Sequence, residues 1–105
     1  MKKTFPLHVP DKEDARVVQA IKLELTKYVK RERRKTLPPD VDFWHFNCKV
    51  GSASETAAFT PLPDVPKSVE TVAQSGAAEV YVEILATPGF REKRSSSGQY
   101  QRQDR

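Results

Sequence analysis

Apolar and polar residues alternate through Thr4-Phe5-Pro6-Leu7-His8-Val9, a period of two that predicts a short strand with one buried face. Pro6 has no N–H to give to a ladder, so at least one side of that strand should stand unpaired near it. After Pro10 the period changes. Stepped at about 100° per residue, Val17, Val18, Ile21, Leu25, Tyr28 and Val29 share one side of a helix. Lys12, Arg16, Lys27, Lys30, Arg31 and Arg34 gather on the opposite side. Asp11 is the expected N-cap, with Glu13 and Asp14 near the positive end of the helix dipole. The helix should continue to the neighbourhood of Lys35, where Leu37-Pro38-Pro39 stops it.

From Val41 to Val50 the period returns to two, with Trp44, Phe46, Cys48 and Val50 on one face and Phe43, His45, Asn47 and Lys49 on the other. Gly51-Ser52 opens a turn, and Thr56–Thr60 reads as a weaker strand returning in a hairpin. Pro61, Pro63 and Pro66 punctuate a loop before a second helix. Asp64 is its expected cap, Val65, Val69, Val72 and Ala73 its inner face, and Gly76 its end. Val80–Ala86 is the last strand, closed by Pro88-Gly89.

Strand, helix, strand, strand, helix, strand is the order of a two-layer α+β sandwich of the ferredoxin-like βαββαβ kind. That arrangement would set the first strand in the centre of the sheet, where Pro6 is awkward. If the Thr56–Thr60 strand is missing, the fallback is a three-stranded sheet with two helices on one face. Residues 1–90 are read as a single domain, since 105 residues support one modest core. Residues 91–105 are read as a disordered basic tail without apolar period, carrying Arg91, Lys93, Arg94, Tyr100, Arg102 and Arg105.

Charge sharpens this picture more by its placement than by its total of +4. Six bases and one acid give residues 27–35 a charge of +5, whereas two bases and seven acids give residues 36–90 a charge of −5. Lys27, Lys30, Arg31, Arg33, Arg34 and Lys35 are therefore the candidate contacts to RNA or DNA phosphates. Cations near a helix C-terminus are also stabilised by the dipole, by ~0.3–1 kcal/mol each, so a solvated helix face accounts for part of the block. Phe43, His45 and Tyr81, on the less apolar strand faces, could stack on bases if the helices cover only one side of the sheet. The Gly- and aromatic-rich string of sheet-based RNA readers is not found.

Other chemistry finds little support. Cys48 is the single cysteine, so no internal disulfide can form. His45 and Cys48 would point to opposite faces of their strand and could not share a metal ion. Asp40, Asp42 and His45 make the one local acid–base cluster, in a place where Asp commonly serves turns. Glycine-rich phosphate loops and nucleophile elbows are missing from the sequence. The expectation is a non-enzymatic, cofactor-free protein. No apolar run approaches the ~18 residues of a membrane span, and Met1-Lys2-Lys3 is followed by Pro6, His8, Pro10 and Asp11 rather than by a signal-peptide core. The expected compartment is the cytoplasm. The expected partner is RNA or DNA, the alternative being an adaptor that forms homodimers or binds another protein through a sheet edge.

Met1-Lys2-Lys3-Thr4-Phe5-Pro6-Leu7, Lys27-Tyr28-Val29-Lys30-Arg31-Glu32-Arg33-Arg34-Lys35, Val41-Asp42-Phe43-Trp44, Phe46, Cys48-Lys49-Val50-Gly51 and Val80-Tyr81-Val82-Glu83-Ile84 with Pro88-Gly89 carry a resemblance. Together they resemble a family of small uncharacterised bacterial proteins, a domain of unknown function. The likeness covers residues 1–51 and 78–91. It implies a bacterial cytoplasmic origin and ties the basic block to the Asp42-Phe43-Trp44 strand, but it supplies no catalytic or binding residue.

Overall fold

A computed structural model describes residues 1–91. Its elements are β1 (Lys2–Pro6), α1 (Asp14–Arg33), β2 (Phe43–Gly51), β3 (Ala58–Phe59), a 3₁₀ turn (Leu62–Asp64), α2 (Val65–Gln74) and β4 (Glu79–Gly89). The α+β class and the βαββαβ element order are those read from the sequence. The basic tail expected at residues 91–105 lies, except for Arg91, outside the described residues.

The strands pair in the order β1-β4-β2-β3, antiparallel throughout. This corrects the ferredoxin-like arrangement, because β1 occupies an edge and β4 takes the place beside β2. Pro6 supplies the physical reason. Ile84 N–H donates to Met1 C=O at 2.8 Å and Leu7 N–H to Ala78 C=O at 2.9 Å, so the odd-numbered residues of this stretch turn their amides toward β4. Alternation sends the backbone groups of Lys2, Thr4 and Pro6 outward. The missing N–H of Pro6 thus falls where no partner strand waits, which a central position would not allow.

One side of the sheet is covered and the other open. Phe5, Phe46, Cys48, Val50, Val80, Val82 and Ile84 share one buried cluster with Val17, Val18, Ile21, Leu25 and Val29 of α1 and Val65 and Val69 of α2. Both helices therefore lie on the same face. The opposite face carries Thr4, Tyr81, Lys49, Glu83, Asn47, Leu85, His45 and Thr87, none of them buried.

The helix ends depart from expectation in one detail. Asp11 does not cap α1; it adopts a left-handed φ of 67° in the turn closed by Lys12 N–H and Val9 C=O. Glu13 takes the N-cap position without a side-chain bond, and the Asp14 carboxylate reaches His8 Nδ1 at 3.1 Å. At the far end, Trp44 Nε1 donates to Lys35 C=O at 3.0 Å, which ties the end of α1 to the start of β2. Asp64 does occupy the N-cap of α2, although its side chain makes no capping bond. Gly76, at a φ of 86°, ends that helix in the left-handed conformation glycine tolerates.

Candidate nucleic-acid interface

The helical step of ~100° separates the basic block of α1 into three directions. Lys27, Lys30 and Arg34 fall on the side away from Val18, Ile21 and Leu25, and all three are exposed. Among the described residues they have neither an ion-pair partner nor an aromatic ring beneath them. Arg31 flanks this stripe, its guanidinium 5.5 Å from the centre of the Tyr28 ring. Burial first, and the Glu32 carboxylate second, push the Tyr28 hydroxyl above its ordinary pKa, so a neutral ring lies under that cation.

Arg33 turns instead toward β2 and lies 5.5 Å from the centre of the Phe46 ring. Lys35 folds back onto Glu32, at 2.9 Å. The nearby acids are similarly engaged. Glu24 holds Lys3 at 2.7 Å, and Glu70 of α2 pairs with the half-buried Lys22. The outward stripe is thus left with its charge uncompensated by the fold. It spans about 10 Å from Lys27 to Arg34 at 1.5 Å per residue, and Arg16 extends it toward the N-terminus on the same side. Leu23, 55% exposed, lies within the extended stripe and gives it an apolar contact.

The three stacking candidates occupy the open face of the sheet, but the structure does not gather them. His45 is opposite Thr87, whereas Tyr81 is opposite Gly51, six residues further along β2. At ~3.4 Å per residue about 20 Å separates them. Phe43 lies beside His45, its ring occupying the space a side chain at position 89 would need, which Gly89 leaves free. Tyr81 donates to Glu83 Oε1 at 2.8 Å, and this bond, more than burial, raises its pKa. Moreover, the open face and the α1 stripe are on opposite sides of the two-layer domain. One nucleic-acid strand cannot touch both without passing around an edge.

The remaining chemical candidates serve the fold. Asp42 Oδ2 accepts the Arg91 N–H at 2.6 Å, and Asp40 takes a left-handed φ of 66° in the turn that Val41 N–H closes on Pro38 C=O. Cys48 is 1% exposed within the core, and burial pushes its thiol pKa up. It should accordingly react with an aromatic disulfide reagent roughly a thousandfold or more slowly in the native protein than in urea, because attack requires an opening of the core. Comparable rates in the two conditions would contradict this placement. No group of three His, Cys, Asp or Glu side chains suited to a metal ion occurs among the described residues, and none of their helices is long and apolar enough to cross a membrane.

Sequence reasoning overlooked Arg33 as a residue distinct from its neighbours, and it overlooked Phe59. Phe59 is 73% exposed and stands in register with Lys49 on the open face. The signal for Arg33 was available in its helical angle, between the apolar and outward sides. Nothing local announced the register of Phe59.

The family model described as "Family of unknown function (DUF6172)" matches residues 1–95. The chain belongs to that family. Comparison with curated proteins gave no match, and neither did comparison with solved structures.

Proposed function

We propose that this member of a family without an assigned role is a non-enzymatic cytoplasmic protein that binds RNA or DNA through phosphate contacts on the outer side of α1. Lys27, Lys30 and Arg34 make the principal contacts, and Arg31 flanks them. The observation that carries the reading is that these outward cations, spaced about one helical turn apart, have no carboxylate partner among the described residues. A helix face built only for solvation gains little from such a concentration, and the C-terminal dipole is already served by the first one or two cations. Because the aromatic residues of the sheet are remote from the stripe, binding should depend on charge and backbone shape and discriminate weakly among bases.

Fluorescence polarisation against short single-stranded RNA, duplex RNA and duplex DNA at two salt concentrations tests this directly. With three to four phosphates engaged, log affinity should fall against log salt with a slope of about −2 to −4. Absence of binding at low salt, or binding indifferent to salt, would overturn the proposal.

A further inference from the structure

The β2 strand has two edges of unequal fate. Its β4 side is paired along the whole length from Phe43 to Gly51, but its β3 side is paired only at Lys49 and Val50. Thr60 N–H adds one more bond, to Cys48 C=O at 2.9 Å, before Pro61 leads the chain away toward the helical layer. That bond fixes the direction of the backbone. Cys48 faces the β3 side, so by alternation Trp44 and Phe46 also present their N–H and C=O groups there. Among the described residues these groups have no backbone partner on that side, and the Phe46 carbonyl receives only the Cys48 thiol at 3.8 Å. The result is a stretch of unfilled ladder.

A groove of about 660 Å³ runs along this stretch. Trp44 and Phe46 form one wall, and Pro61, Leu62 and Pro63 form part of the other. Arg33 is the one Lys, Arg, Asp or Glu side chain lining it. A second groove of about 330 Å³ meets it at Arg33, Leu62 and Pro63, and its lining charges are Lys30 and Arg33, again with no acid. Open backbone groups above an apolar floor, with only positive charge at the border, specify the chemistry of what would fit.

We infer that the Trp44–Phe46 edge of β2 is a docking site for an extended, acidic peptide segment of a partner protein. The segment adds as a strand, exchanging main-chain hydrogen bonds with Trp44 and Phe46, and places a carboxylate against Arg33. Charge selects this occupant over two others. A second copy paired edge to edge about a twofold axis would bring no acid to this border and would set Arg33 against a site whose lining charge is again Arg33. The chain's own residues 91–105 hold five bases against two acids and would be repelled likewise. Lys30 borders both the second groove and the phosphate-binding stripe proposed above, but the Trp44–Phe46 edge and Arg33 lie outside that stripe, and strand addition there does not depend on it.

The test uses the full chain labelled with ¹⁵N and a ten-residue peptide of alternating Glu and Val. The peptide should shift the Trp44 and Phe46 amide signals and slow their hydrogen exchange by about tenfold or more. Two control peptides, one with Lys in place of Glu and one with the central Val residues changed to Pro, should bind at least ~10-fold more weakly, the first through charge and the second through its lost N–H donors. Arg33→Gln should weaken the acidic peptide by ~5–50-fold, as expected for a lost charged hydrogen bond, while the far-UV circular dichroism is retained. Lys27→Gln/Arg34→Gln should flatten the nucleic-acid salt slope and leave the Trp44 and Phe46 shifts in place, which separates failure of one site from failure of the other. Equal binding of the three peptides, or shifts confined to the α1 stripe, would overturn the inference. Protection of these amides that grows with protein concentration in the absence of peptide would overturn it in favour of a second copy.

Discussion

The Lys27→Glu/Lys30→Glu/Arg34→Glu protein is expected to lose RNA and DNA binding by ~100-fold or more at low salt, since each phosphate contact becomes a repulsion. The salt dependence that remains should be shallower by about 2–3 in log–log slope, roughly 0.7–0.9 for each contact removed. These side chains are exposed and face away from Val18, Ile21 and Leu25, so the variant should still unfold in one cooperative transition. Some stability is nevertheless lost. Acids at positions 30 and 34 oppose the negative end of the helix dipole, at a cost of ~0.3–1 kcal/mol each. The corresponding glutamine variant removes the charge without that penalty and should lose binding with little change in Tm. Polarisation titrations paired with thermal melts distinguish the cases: unchanged binding in both variants would reduce the stripe to a solvated surface, and loss of cooperative unfolding would make it structural.

Ile84→Ala is expected to have the largest effect on stability. Ile84 is fully buried on the central strand β4, opposite Cys48 of β2, and the main chain of Met1 exchanges two hydrogen bonds with it, at 2.7 and 2.8 Å. Removing its distal carbons deletes transfer free energy and leaves a void between sheet and helices, at a cost of ~2–5 kcal/mol. For a domain of this size each kcal/mol corresponds to ~4–8 °C in Tm, so a fall of about 8 °C or more should be seen. In urea the midpoint should drop with the slope m unchanged, as expected for a core that is weakened but still folds to the same compact state. A change below about 1 kcal/mol would mean that Ile84 does not sit where β1, β2 and the helices meet.

Much of the fold was legible because the residues that decide it act locally. The switch from period two to period 3.6 after Pro10, the stop at Leu37-Pro38-Pro39 and the closure at Gly76 each depend on neighbours within a few positions. Strand order was harder. Pro6 contained the answer, since a strand lacking an N–H belongs at an edge, but element order alone favoured the ferredoxin-like arrangement. The capping role given to Asp11 failed because the helix starts three residues later, leaving Asp11 to shape the preceding turn.

The candidate site divides in the same way. The separation of Lys27, Lys30 and Arg34 from the apolar side follows from helical angle and could be read from sequence. What left these three uncompensated could not: Glu24 is taken by Lys3 from β1, and Glu70 of α2 is taken by Lys22. Those pairings join residues distant in sequence and appear only once the layers are assembled. The distance between Tyr81 and His45 is likewise a matter of register, that of β2 against β4, which joins residues 30 to 46 positions apart and is not announced by neighbours.

The position of Pro6 has a consequence for growth by association. An endless stack of these domains would need two receptive sheet borders, one to accept a strand and one to offer the next. β1 displays Lys2, Thr4 and an amide-less Pro6 at its outer border, which makes that side a poor template. Whatever strand fills the vacant stretch of β2 therefore ends the series. On the docking inferred above, the domain would take one addition and stop, because the β1 border gives a fibre propagated from sheet to sheet little to continue on.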